Sequence, residues 1–282
     1  MNDSSSTDSV TAVSDTTLDT HVINTIFNTS DRLTPLELKR RVQHACRPVK
    51  HGQIESSIKR LVEQKELIYT YQFGNSFLEP SFEKPVRVAN SIILKPPNAN
   101  YHPLPDDIVV NIKAGAAFGT GIHPTTRLSL RGLEKVCTNN MSRIKEGGQR
   151  ILDIGTGSGV LAIAALKLGL DQGLGLDIDP CAQVEASENA ELNSLSQQLE
   201  ISACSLDSLQ DRFFLITANL RFPTLKAYFK KMIELTEPGS FLVISGIKFN
   251  EVRRMKNISK TFGMAVYWEE VEHDWGGLAL RR

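Results

Sequence analysis

The stretch Ile151-Leu152-Asp153-Ile154-Gly155-Thr156-Gly157-Ser158-Gly159 decides how this chain is read. A short apolar run stops at three alternating glycines. A second apolar run, Val160-Leu161-Ala162-Ile163-Ala164-Ala165-Leu166-Lys167, follows at once. The pattern predicts strand, tight turn, helix. Glycines let the backbone turn sharply and approach a ligand closely, and a helix start offers free N–H groups. Taken alone, the pattern fits an ordinary strand-to-helix turn as well as it fits a nucleotide site.

The next segment separates the two. Gly173-Leu174-Gly175-Leu176-Asp177 reads as a second strand ending in an acid, 22 positions after Gly155. In a β-α-β unit such an acid faces the crevice beside the glycine loop, where it can accept hydrogen bonds from two ribose hydroxyls. Asp179-Pro180 then suits a helix cap with proline in the first turn. Asp177 is thus expected to be the ligand acid and Asp179 the cap, with the reverse assignment open. A dinucleotide fingerprint needs its third glycine one residue later than Gly159. With Asp153 in front, Asp153-x-Gly155-x-Gly157-x-Gly159 resembles the first motif of S-adenosylmethionine-dependent methyltransferases.

Composition bounds the class. The chain has 282 residues, 41% hydrophobic and 23% charged, with a formal net charge of zero. That fits a globular protein with a substantial core and gives no global field to draw in nucleic acid. The four cysteines are widely spaced, without metal-ligand spacing, so no metal site is expected. A reduced, cytoplasmic compartment follows as the expectation. No apolar run is long enough to span a membrane, so no membrane partner is expected.

Residues 1–20 are mostly Ser, Thr and Asp and are expected to form a disordered tail. Residues 21–82 show three helical patterns and then two strand-like runs around Gly74-Asn75. Three helices and a hairpin resemble a winged-helix module in pattern. Between Asp31 and Glu66 there are nine Lys/Arg against five Asp/Glu. The segment 50–66 is therefore a candidate contact for nucleic acid, and equally a protein-docking or dimerising face. Residues 83–126 read as a connector and cofactor lid, with one strand within 87–96 and a second at 107–112. Residues 127–282 form the expected cofactor-binding domain.

The second informative run is Ala117-Phe118-Gly119-Thr120-Gly121-Ile122-His123-Pro124-Thr125-Thr126, just before an apolar-periodic helix. His123 suits the cap and Pro124 the first turn. Thr125 and Thr126 can hold a polar ligand or satisfy first-turn N–H groups. Together with the Asp153–Gly159 loop, this run resembles the PrmA family, bacterial methyltransferases of a large-subunit ribosomal protein. Asp177-Ile178-Asp179-Pro180 matches the same family, and the likeness runs from about residue 87 to the C-terminus.

The resemblance implies an α/β, Rossmann-like class I methyltransferase fold with seven strands, mostly parallel, the last antiparallel. It implies S-adenosylmethionine as cofactor, held by Thr126, Gly155, Asp177 and Asn219. Gly157, Gly159, Asp153, Phe118 and Thr125 belong to the same expected pocket. It also implies a protein substrate, a ribosomal protein methylated on a lysine or N-terminal amine.

Asn219 ends the apolar run Phe213-Phe214-Leu215-Ile216-Thr217-Ala218 and is expected to orient the nucleophile. After it come Leu220-Arg221-Phe222-Pro223, bulkier than the small residues usual in the family. No Asp/Glu or His pair stands out as a dedicated base. Positioning and desolvation of a neutral amine are expected to dominate. Two rival readings follow: an RNA or DNA methyltransferase guided by the N-terminal module, and a non-catalytic cofactor-binding protein.

Overall fold

The computed structural model describes residues 15–29, 32–46, 48–72, 74–113, 115, 119 and 123–282. The chain forms two compact units, one ending at Ser81 and the other starting at Phe82.

In the first unit, α1 (Asp15–Phe27), α2 (Pro35–Ala45) and α3 (His51–Glu63) are followed by the antiparallel strands β1 (Leu67–Gln72) and β2 (Asn75–Pro80). The α2 start follows from Thr34-Pro35-x-Glu37. The Thr34 side chain accepts from the Glu37 N–H, and Glu37 returns a carboxylate to the Thr34 N–H at 2.9 Å. Leu18, Val22, Leu38, Val42, Ile54, Ile58 and Leu61 form the core.

Of the expected tail, residues 1–14 lie outside the described residues, and the remainder is ordered. Residues 15–20 are helical, and Leu18 is buried. Asp19 accepts from Ser57 Oγ at 2.5 Å and from Arg60 Nη2 and Nε at 2.7 and 2.9 Å. A Ser/Thr-rich segment can order itself when one leucine finds a core and one aspartate a guanidinium. Both partners lie about forty residues on, beyond any local window. The Arg60 bond holds the Asp19 carboxyl below the usual range.

The second unit carries a seven-stranded sheet made of β6 (Arg150–Ile154), β7 (Gln172–Leu176), β8 (Leu199–Ser202), β9 (Phe213–Asn219), β10 (Thr236–Lys248), β11 (Ala265–Glu272) and β12 (Trp275–Arg281). The order is β11-β12-β10-β9-β6-β7-β8. β12 runs antiparallel to both neighbours, and the other pairs are parallel, as the expected class requires. The central β9 is buried to Ala218 on both faces. One face packs on α4 (Pro124–Asn139) and α6 (Val160–Lys167), and the other on α8 (Phe222–Glu234) and α9 (Phe249–Thr261). The helices α5 (Met141–Lys145) and α7 (Pro180–Leu192) complete the unit.

The described residues from 83 to 113 are packed structure rather than a bare connector, and most of the expected lid, 114–122, lies outside the described residues. β3 (Val86–Arg87), β4 (Ile92–Lys95) and β5 (Ile108–Asn111) form a small sheet whose Ile92, Leu94 and Val110 share one core with α4 and α6. Glu134 of α4, 5% exposed, accepts the N–H groups of Asn90 and Ser91 at 3.0 and 2.6 Å. The boundary expected at residue 127 therefore falls inside a packed unit. Short β-branched strands bounded by prolines look like linkers locally, and only their pairing and burial show otherwise.

Leu18→Ala should destabilise the first unit by about 2–4 kcal/mol, the usual cost of truncating a buried leucine. Urea denaturation followed by circular dichroism checks this. An unchanged midpoint would return residues 15–20 to the tail.

Candidate functional site

β6 delivers the glycine loop to the C-terminal edge of the sheet, where ligands of open α/β sheets bind. Gly155, Gly157 and Gly159 have φ of 69°, 54° and 80°, a region that costs a side chain dearly. The N–H groups of Gly155 and Thr156 both donate to Leu176 O, at 2.8 and 2.9 Å, locking the loop to the end of β7.

Asp177 follows on that strand. Its Oδ2 accepts from Gly157 N at 2.9 Å and its Oδ1 from Asp179 N at 3.0 Å. Two bonds leave a carboxylate with lone pairs to spare. Asp179 accepts from Cys181 N at 2.9 Å and caps α7. Asp179 is thus the cap, and Asp177 sits at the loop.

Asp153 lies beneath the loop rather than in its cleft. Its exposure is 1%, and it accepts from Thr156 Oγ1 at 2.7 Å and from Thr217 Oγ1 at 2.6 Å. Burial pushes its carboxyl up to about 6, against the opposing pull of those two hydroxyls. Asp153 therefore pins the loop to β9, the strand that ends in Asn219.

Gly155, Gly157, Asp177 and Asn219 line one cleft of about 580 Å³, a volume usual for small-molecule sites. Ile178, Leu206, Leu220 and Tyr228 add apolar surface. Ile178 is 93% exposed, an isoleucine held in the open on the cleft lip between two aspartates. Gly159, Asp153, Thr125 and Thr126 do not line this cleft. Gly159 instead opens α6, at a positive φ and with little room for a Cβ, which would lie 3.2 Å from the Ala186 Cβ. Phe118 lies outside the described residues.

His123 caps α4. Its Nδ1 accepts from Thr125 N at 3.3 Å and lies 2.8 Å from Thr125 Oγ1. Trp275 meets the imidazole edge-on at 5.1 Å. Burial brings the His123 pKa down to about 4, helped by the charges of Arg127 and Lys248. The ring is therefore neutral at pH 7. With Nδ1 accepting, the proton sits on Nε2, so this histidine is a cap and not a base. Thr126 Oγ1 is buried and has no hydrogen-bond partner among the described residues.

Asn189 is a residue that sequence reasoning missed. It is fully buried on α7, with Oδ1 accepting from Lys113 N at 2.9 Å and Nδ2 donating to Ser158 O at 2.9 Å. Four residues on, Asn193 accepts from Asn111 N at 2.9 Å and donates to Asn111 O at 2.7 Å. One amide thus ties the chain after β5 to the glycine loop. The available signal is a polar residue in register with Ala182 and Ala186 on the buried stripe of α7.

On the first unit, part of the basic excess is paired, above all on α3. Arg60 is turned onto Asp19, Lys39 meets Glu55 at 2.5 Å, and Lys59 meets Glu63 at 3.8 Å. The outward side of α3 is thus mixed in charge rather than a positive face. Among the described residues no acidic, His or Cys group has the arrangement to hold a metal ion, and no helix is long and apolar enough to cross a membrane.

Comparison with known proteins gives a consistent set. The family model described as ribosomal protein L11 methyltransferase (PrmA) matches residues 76–282. A ribosomal protein L11 methyltransferase of Geotalea uraniireducens is 34% identical over 202 residues, 70% of this chain and 64% of its own length. One from Citrifermentans bemidjiense is 39% identical over 167 residues, 58% of this chain and 53% of its own length. The chain therefore spans between half and two thirds of these curated relatives. The crystal structure of a ribosomal protein L11 methylase from Lactobacillus delbrueckii subsp. bulgaricus superposes with a TM-score of 0.62 at 27% identity, covering 71% of this chain and 98% of that one.

Two consequences are measurable. An aspartate that holds its proton more tightly folded (about 6) than unfolded (about 3.9) costs stability as pH rises through that window. Asp153→Asn should therefore gain on the wild type by up to about 3 kcal/mol between pH 4 and 7. Parallel urea midpoints across that range would refute this. Asn189→Ala leaves a buried N–H and a buried carbonyl unpaired and should cost about 2–5 kcal/mol. Asn189→Asp, which turns a carboxylate oxygen onto the Ser158 carbonyl in a buried site, should lower Tm at least as far.

Proposed function

The chain belongs to the ribosomal protein L11 methyltransferase (PrmA) family, and we propose that it is an S-adenosylmethionine-dependent methyltransferase that N-methylates an amine of a ribosomal protein. The observation that carries this reading is the single cleft that gathers Gly155, Gly157, Asp177 and Asn219 at the C-terminal edge of the sheet.

The residues suit the cofactor. Asp177 has lone pairs left for two ribose hydroxyls after binding Gly157 and Asp179. The exposed Ile178, with Leu206 nearby in the cleft lining, offers an apolar surface to a flat base. The φ values of Gly155 and Gly157 keep the loop free of side chains where the amino-acid end would lie. When bound, the cofactor contributes a sulfonium-activated methyl group, which is the hard part of the chemistry.

The protein's part is to hold a neutral amine in line and keep water out. A lysine with an ordinary pKa near 10.4 must first lose its proton. The carboxylates lining the cleft are Asp177 and Asp179, and both accept backbone N–H groups. His123 offers no lone pair, since Nδ1 is engaged and Nε2 carries the proton. Desolvation of the amine and orientation by the Asn219 amide and by backbone carbonyls therefore do the work. Leu220, next in the chain, contributes apolar wall to the same cleft.

Asp177→Ala should weaken S-adenosylmethionine binding by about 10- to 100-fold, the worth of hydrogen bonds to a charged group. Asn219→Ala should bind it within a few-fold of wild type and lose about 100-fold in methyl transfer. Calorimetry and labelled-methyl transfer to ribosomal proteins read the two separately. Full turnover by Asn219→Ala would end its assigned role. Label appearing on RNA instead of protein would end the assigned substrate.

A further inference from the structure

The chain is electrically neutral only in sum. The segments 221–234 and 248–261 hold nine of its 32 Lys/Arg and two of its 32 Asp/Glu, an excess of seven cations. The remainder of the chain carries the matching acidic excess. These two segments are α8 and α9 with their N-caps, and the helices pack side by side on the same face of the sheet.

Their inner stripes are apolar: Phe222, Leu225, Phe229 and Met232 on α8, Val252 and Met255 on α9. Burial of those stripes puts the charges outward. Arg221, Lys226, Lys230, Arg253, Arg254 and Lys260 are all exposed. Little acid answers them. Glu234 stands 3.9 Å from Lys230 in an exposed pair, and Glu269 takes Lys256 at 2.6 Å. The Arg254 guanidinium lies 4.6 Å over the Phe222 ring, held flat beside the α8 flank that carries Lys226 and Lys230.

Aromatic rings stand among these cations. Phe249 is 61% exposed and shares a stripe with Arg253, Lys256 and Lys260 at i, i+4, i+7 and i+11. Phe262 is 42% exposed and Tyr228 38%, the latter also lining the cleft. Exposed rings interleaved with Lys and Arg are what a single nucleic-acid strand requires: charges for the phosphates and flat faces for the bases.

We propose that the α8–α9 face binds the backbone and bases of single-stranded RNA, beside the mouth of the cleft. The inference is independent of the transferase reading and moves the nucleic-acid contact away from α3, whose charges are paired.

The test is fluorescence anisotropy of a labelled mixed-sequence RNA of about 20 nucleotides against the full chain, over a salt series. Wild type should bind, with log K falling against log salt at a slope of about −3 to −4 for five phosphate contacts on a single strand. The variant Lys226→Glu/Lys230→Glu/Arg253→Glu/Arg254→Glu should lose at least about tenfold at 0.1 M salt and flatten the slope by about 3. The milder set of four Gln substitutions should lie between. Lys59→Glu on α3 should bind as wild type. Unchanged melting and unchanged S-adenosylmethionine binding in the variants separate a lost surface from a lost fold. No RNA binding by wild type at 0.05 M salt, or equal binding by the fourfold Glu variant, overturns the proposal. So does an acidic peptide of equal charge that binds as tightly as the RNA.

Discussion

One buried carboxylate sets the geometry on which the cleft depends. Asp153 is almost wholly out of water, and its two oxygens take the hydroxyls of Thr156 in the glycine loop and Thr217 in β9. Those two anchors lie on opposite sides of the site: the loop supplies Gly155 and Gly157, and β9 supplies Asn219. Holding a charge in the interior is costly. Its two short hydroxyl bonds only partly offset that, which is why burial still wins and raises the carboxyl to about 6. The same residue explains why an acid before the loop reads, from sequence, like a ligand contact. It is required for the loop, but from below.

Around this anchor the connections are made by main chain. Leu176 O receives two loop N–H groups, Asp177 receives a third, and Ser158 O is held by Asn189. Side chains that hold backbone in place leave the cleft walls free for a ligand. They also make the loop rigid in advance of binding, which lowers the entropy cost of capture.

The centre of the sheet was legible in the sequence because β6 and β9 are apolar runs closed by a turn signal, and α7 and α4 start with recognisable caps at Asp179-Pro180 and His123-Pro124. The helices and the β1–β2 hairpin of the first unit were legible for the same reasons. What could not be read locally was anything settled by a distant partner. Leu18 and Asp19 needed α3, β4 and β5 needed Glu134 and the α6 core, and the inward turn of Arg60 needed α1. Charge counting placed the basic surface on the first unit for that reason. Pairing reduces it on α3, while burial of the opposite stripes turns the cations of α8 and α9 outward.

Leu220 joins two glycines in unequal ways. A Cβ on Gly155 would meet the Leu220 side chain at 2.6 Å, whereas one on Gly246 would meet the Leu220 carbonyl oxygen at 2.5 Å. Trimming Leu220 would make room beside Gly155, although its φ of 69° keeps a share of the penalty in place. No change of side chain at 220 helps Gly246, because the obstacle is the peptide itself. The site therefore has one epistatic pair and one fixed point. A lineage, or an engineer, can reshape the wall of this cleft through positions 155 and 220 together. Position 246 stays outside that route, and the path of the chain past it has to be inherited intact.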